Sequence, residues 1–263
     1  VEQHGTVCVT VDNLGSALDI LAGRAHRPDS DEAGVRTGLP RLLELFDALK
    51  IRATFFVEGW NALHHPEALQ AIADAGHEVG LHGWMHEEWA KLSEHDQERL
   101  LFDGTAALRL IGIEPQGFRA PGGYRGTRTA AVLADLGYRY DSSVTPESVN
   151  LPPKVHRLDD HLVCVPWQWE GNDCWQYAKN PAGNQTEDQA RKTWLDMIHD
   201  AAGNGGLVTL TMHPFMSGFY DAKFEVYSEI LHTALDHEAL TVTTAGALVD
   251  SFLEEETAGL RAP

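Results

Sequence analysis

Short runs rich in valine, threonine and phenylalanine alternate with stretches of helical period along most of the chain, and this restricts the fold more than any other feature. TVCVTV, Thr6 to Val11, reads as a buried strand, and GLPRLLELFDALK, Gly38 to Lys50, as an amphipathic helix with Leu42, Leu45, Phe46 and Leu49 on one face. A strand at RATFFVEG, a helix at PEALQAIADAG closed by Gly76, and a strand at HEVGLH follow. Ser93 opens a long helix to about Ile111, with Asp96 as its capping partner three residues on. Short apolar segments at QGFRAP, YRYDSS and HLVCVPW alternate with the helix TRTAAVLADLG. A helix over Glu187 to Ala202, the strand GLVTLTMH, a helix near Phe224 to Asp236, the strand LTVTTA and a last helix from Gly246 to Leu253 complete the pattern. The tail after Glu254 reads as a solvated end. Repeated βα units predict an α/β fold on a parallel sheet, either open and doubly wound or closed into a barrel. A length of 263 residues suits one core, so a single domain over residues 1–263 is expected.

Charge and cysteine usage narrow the partners. The formal net charge is −19 at pH 7, and no run of lysine and arginine offsets it, so nucleic acid and anionic membrane are excluded as expected partners. A small-molecule substrate, neutral or cationic, fits better. Cys8, Cys164 and Cys174 are three scattered residues with no CxxC pair, which predicts reduced thiols in a cytoplasmic protein. The opening residues VEQHGTVCVT carry no signal pattern, and no stretch is long and apolar enough to span a bilayer. Homo-oligomerisation is left open.

Polar residues interrupt the apolar pattern at particular places. Asp12, His82, Arg119, Asp141 and His213 each fall at or just past the end of an expected strand, and in a parallel architecture those ends share one face, where sites are built. In HGWMH, His82 and His86 are four apart and would present both imidazoles to one divalent ion if the segment formed a helical turn. Alone, such a pair is equally compatible with a hydrogen-bonded strand-end histidine and a surface one, and its company tips the balance. Asp12 could complete a metal site or take a proton from attacking water, and Asn13 could donate its amide oxygen to the ion. Asp-Asn is also a common turn opener. His213, before Pro214, could protonate a departing amine, and Arg119 could hold a catalytic carboxylate in place.

These segments, in this order, resemble the polysaccharide deacetylases with the NodB-homology domain. TVDN is similar to the first motif, HGWMH to the histidine pair, RAPGGYR to the arginine motif, YDSSV to the aspartate motif and TMHPF to the final histidine motif. VPWQWEGNDCWQY, Val165 to Tyr177, is similar to the branch with peptidoglycan-deacetylase-like proteins, cofactor-independent allantoinases and cyclic imide hydrolases. The resemblance implies a distorted (β/α)7 barrel and a hydrolase with one divalent ion, zinc first and cobalt, nickel or iron as alternatives. It implies His82 and His86 as ligands, Asp12 as base, Arg119 orienting that base, Asp141 supporting the site and His213 as acid. Pro121, Tyr124, Trp167 and Trp169 are expected at the substrate; for some of the tryptophans core packing is the competing reading. One departure stands out: the family's first motif has two adjacent aspartates, the second a ligand, and this chain has Asn13 there. Either Asn13 ligates, or Asp12 moves onto the metal, or metal affinity is reduced.

The expected activity is metal-dependent hydrolysis of a non-peptide C–N bond, first the N-acetyl group of an amino sugar or small N-acetylated metabolite. An allantoin-like or cyclic imide ring is the second choice. A family member that binds a carbohydrate or metabolite without turning it over is the contrasting expectation.

Overall fold

The computed structural model describes residues 4–27 and 33–261. Its central strand, β1 (Gly5–Asp12), is buried throughout except at Thr6, as a parallel strand covered on both faces must be. Then follow α1 (Ser16–Leu21), α2 (Leu39–Leu49), β2 (Thr54–Val57), α3 (Gly59–His64), α4 (Pro66–Asp74), β3 (Glu78–Leu81) and α5 (Glu94–Leu110). The second half contains β4 (Gly117–Phe118), α6 (Thr129–Asp135), β5 (Tyr140–Asp141), β6 (His156–Arg157), β7 (Val163–Cys164), α7 (Glu187–Asn204), β8 (Leu207–Met212), α8 (Asp221–Asp236), β9 (Leu240–Thr243) and α9 (Ala245–Arg261).

The strands form one sheet in the order β6-β7-β5-β4-β3-β2-β1-β8, parallel except between β6 and β7. β8 runs along Thr6 to Val11 of β1, while the opposite edge is shared: β9 pairs with Gly5 to Cys8 and β2 with Thr10 to Asp12. Ala245 N donates to Thr54 Oγ1, which ties the end of β9 to the start of β2. The sheet curls into a half-barrel, and between its far segments the described residues show the single bridge Asn172 to Thr211. Leu42 and Phe46 of α2, Leu69 and Ile72 of α4, and Trp194 of α7 are fully buried in the core around it. Each such side chain contributes roughly 1.5–3 kcal/mol.

Several elements differ from the sequence expectation, the edge strand β6 among them. α1 and α3 are short helices not anticipated there. α3 is admitted by Gly59, where a Cβ would stand 2.5 Å from the Cα of Gly104 in α5, so only two glycines allow the helices this close. The tail after Glu254 is largely exposed, as expected, but it continues α9 to Arg261: its residues favour helix, and Glu256 is held by Arg157 at 2.8 Å.

Candidate active site

Asp12 is the last residue of β1, Asp141 the last of β5, and His82, Arg119 and His213 directly follow β3, β4 and β8. Four of the five, all but Asp141, line one cavity of about 80 Å³, together with His86, Trp167, Trp169 and Cys174. That is small beside the several hundred Å³ of an ordinary ligand pocket.

Arg119 is 1 % exposed and spends its guanidinium inside the barrel. Nη1 donates to Asp12 Oδ1 at 2.8 Å, to Thr10 Oγ1 at 2.8 Å and to Thr211 Oγ1 at 3.2 Å, while Nη2 donates to Ser142 Oγ at 2.8 Å. The guanidinium carbon lies 4.4 Å from the centre of the Phe56 ring, a cation–π contact. Burial raises the Asp12 carboxyl above its ordinary range, and the Arg119 charge partly offsets this. Thr10 and Thr211 were not singled out from sequence. The signal was there, since each lies two residues before Asp12 or His213 and so shares its face of the strand.

His82 is fixed from behind. Its Nδ1 lies 2.8 Å from the Arg119 carbonyl oxygen, which can only accept, so Nδ1 carries the hydrogen and Nε2 keeps its lone pair. The His86 ring stands edge-on, with ring centroids 5.0 Å apart. Burial pushes His82 down to about 3 and His86 well below the usual imidazole range, so both rings are neutral. The helical turn expected for HGWMH is absent, and the rings meet across a bend instead. Gly83 at φ 69° and His86 at φ 68° take left-handed backbone. The Gly83 and Trp84 carbonyls accept from Gly59 and Trp60 of α3, not from their own chain four residues on, and the Glu87 carboxylate takes the N–H groups of Trp84 and Met85.

Opposite stands a residue that the sequence reading missed. Asp173 Oδ1 lies 2.6 Å from His213 Nδ1, and Oδ2 accepts from the backbone N–H of His213 at 3.0 Å and of Ser217 at 3.2 Å. Burial opposes a charge on the His213 ring, but the neighbouring Cys174 sulfur and Asp173 carboxylate outweigh it, and the ring is held protonated well above the ordinary histidine range. Burial also keeps the Cys174 thiol protonated, so Asp173 supplies the negative charge. Nothing in the spacing of Asp173 and His213, forty residues apart, announces the pair. Glu58, just past β2, was also missed although it obeys the strand-end rule; it is fully buried, burial pushes it up to about 8, and its Oε2 accepts from Asn61 Nδ2 at 2.7 Å.

Other expected residues sit elsewhere. Asn13, at φ 54°, is not among the cavity-lining residues, and its Oδ1 accepts from Gly15 N at 2.7 Å in a turn. Asp141 accepts from Arg125 Nε and from Ser143 N, one layer behind the cavity. Pro121 and Tyr124 do not line it either; Tyr124 instead packs edge-on against Trp169, at 6.0 Å between centroids. Trp167 and Trp169 do line it, and the buried indole N–H of Trp167 has no hydrogen-bond partner.

The family model for polysaccharide deacetylase matches residues 30–140. A peptidoglycan deacetylase of Helicobacter pylori is 25 % identical over 94 % of this chain and 94 % of its own length. The chain is similar to the polysaccharide deacetylases over the matched segment and along nearly its whole length. Its curled sheet superposes on the crystal structure of a Mycobacterium smegmatis protein assigned as a polysaccharide deacetylase, with a TM-score of 0.84 and 27 % identity over 97 % of this chain and 92 % of that one. The fold is the family's distorted (β/α)7 barrel. Puue allantoinase shares that fold, with a TM-score of 0.77 at 19 % identity over 94 % of this chain and 90 % of its own.

Two neutral imidazoles converging in one cavity fit a divalent ion. Among the described residues, His82 and His86 belong to no set of three histidine, cysteine or carboxylate ligand atoms that all lie within 4.8 Å of one another; the set that does is Asp173, Cys174 and His213.

Proposed function

We propose that this chain, as one NodB-homology domain over residues 1–263, hydrolyses the amide of an N-acetyl group with a divalent ion, zinc first, held by His82 and His86. What carries the reading is the opposition, within one cavity, of a carboxylate braced by a buried arginine and an imidazolium braced by a buried carboxylate. Two titratable groups pushed into opposite roles mark a base and an acid. When bound, the ion polarises the amide carbonyl and acidifies water.

Asp12 takes a proton from the attacking water, and Arg119 keeps the carboxylate aimed while its other N–H groups are occupied by Thr10, Thr211 and Ser142. The tetrahedral carbon then loses its nitrogen, to which His213 gives a proton, so acetate and an amine leave. Asp173 holds the imidazolium until that transfer. Trp167 and Trp169 wall off water, and the Trp167 indole N–H is a free donor for the substrate.

The small cavity supports an acetamido arm entering alone, which suits an N-acetylated amino sugar, whether free or at the surface of a glycan. The H. pylori relative's name supports the glycan. No described helix is long and apolar enough to cross a membrane, and the three free, buried cysteines fit a reducing compartment. A second reading, binding without turnover, draws on Asn13, whose amide oxygen is committed to its turn.

Acetate release from N-acetylglucosamine oligomers by chelated protein, before and after addition of zinc, cobalt or nickel, decides between them. Restoration by the ion, abolished in His82→Ala, is expected. Activity indifferent to both treatments rejects the mechanism, and tight ligand binding with no acetate under any ion establishes the second reading.

A further inference from the structure

We infer that Asp173, Cys174 and His213 form a second cation site, selective for thiophilic divalent ions such as Zn²⁺ or Cd²⁺, whose filling silences His213. Their sulfur, nitrogen and oxygen ligand atoms all lie within 4.8 Å of one another. Asp173 is fully buried and Cys174 and His213 are each 7 % exposed, yet the last two line the cavity, so an ion reaches them through the opening that substrate uses. Neither His82 nor His86 belongs to this set, so the two sites compete for no ligand.

The donors are already in place. Asp173 and Cys174 are adjacent in sequence, and His213 is fastened to Asp173 through its own backbone N–H and that of Ser217, so little reorganisation is needed. A thiolate, an imidazole and a carboxylate suit zinc-like ions, whereas Mg²⁺ and Ca²⁺ prefer all-oxygen sets. In the free protein a proton holds Asp173 and His213 together at 2.6 Å. An entering cation replaces that proton and the one on the Cys174 sulfur, and both go to solvent with no change of oxidation state. This double displacement costs affinity at low pH, so the site fills when cation is in excess and fills more readily as pH rises. A ring holding a cation at Nδ1 keeps its Nε2 proton only as a neutral imidazole, a far weaker acid than the imidazolium; this inhibitory half rests on the function proposed above, and the binding half does not.

The test uses the full chain carrying both His82→Ala and His86→Ala, titrated with Cd²⁺ while the ultraviolet thiolate-to-cadmium charge-transfer band is followed. A saturable band is expected, and it is expected to vanish on adding Cys174→Ala. Should that variant not fold, Cys174→Ser keeps the volume and must lose the band likewise. No band, or one that persists without Cys174 because Cys8 or Cys164 carries it, overturns the site. With His82 and His86 intact, excess zinc is expected to suppress acetate release, and Cys174→Ala to raise the zinc needed by about tenfold. A band that follows Cys174 with turnover indifferent to excess zinc overturns the inhibition and His213's acid role, while the cation site stands.

Discussion

Asp173 grips His213 twice, with one carboxylate oxygen 2.6 Å from the ring Nδ1 and the other 3.0 Å from the backbone nitrogen. The ring is thereby fixed in orientation and in charge, and the first prediction follows from the charge.

Asp173→Asn removes the negative charge that holds the His213 proton, so the ring's pKa falls from its raised position. The protonated acid is present below that pKa and lost above it; lowering the pKa therefore moves the alkaline limb of the pH–rate profile toward acid. A loss of about 10²–10⁴ in kcat at neutral pH is expected. An unmoved alkaline limb in a pH series of kcat would show that Asp173 does not tune the acid.

Arg119→Lys leaves a point charge where a planar fork now reaches Asp12, Thr10, Thr211 and Ser142 together. Arg119→Ala strands a buried carboxylate and should cost about 3–5 kcal/mol in urea unfolding. Lysine is expected to recover part of that stability but little of the activity. Full recovery of both by lysine would mean that charge alone suffices at this position.

Asn13→Asp should fold as the parent does. Aspartate tolerates the left-handed backbone and can accept the same Gly15 N–H, so in mild acid, where the buried carboxyl is protonated, thermal unfolding should differ little from the parent. Asn13→Ala loses both the turn bond and the conformational tolerance, and a cost of about 1–3 kcal/mol is expected. Equal stabilities for the two variants would show that the turn contributes nothing.

Glu58 is held protonated by burial, with its pKa up to about 8. An acid whose folded pKa exceeds its unfolded one takes up a proton on folding, so its contribution is whole below the ordinary carboxylate range and is lost as pH rises toward 8. Glu58→Gln abolishes that dependence. Urea unfolding between about pH 5 and pH 8 should show parent stability falling by a few kcal/mol relative to the variant, on the order set by linkage. Parallel curves would place the Glu58 carboxyl in water.

The amino-acid sequence by itself determined the alternation of strand and helix, because burial on both faces of a parallel strand and on one face of a helix writes itself into local periodicity. It also determined that Asp12, His82, Arg119, Asp141 and His213 stand at one rim, because strand ends in such a sheet can go nowhere else. Which side chains then touch was decided only by tertiary structure. Asp141 lies at that rim yet pairs with Arg125, and Asn13 adjoins Asp12 yet closes a turn. His86 reaches His82 across a bend, because α3, brought close by Gly59 against Gly104, takes the carbonyls that a helical turn would have used. Asp173 meets His213 from forty residues away. A side chain's partner depends on the direction in which each backbone segment leaves the sheet, and that is settled by packing between distant segments, which leaves no period in the chain.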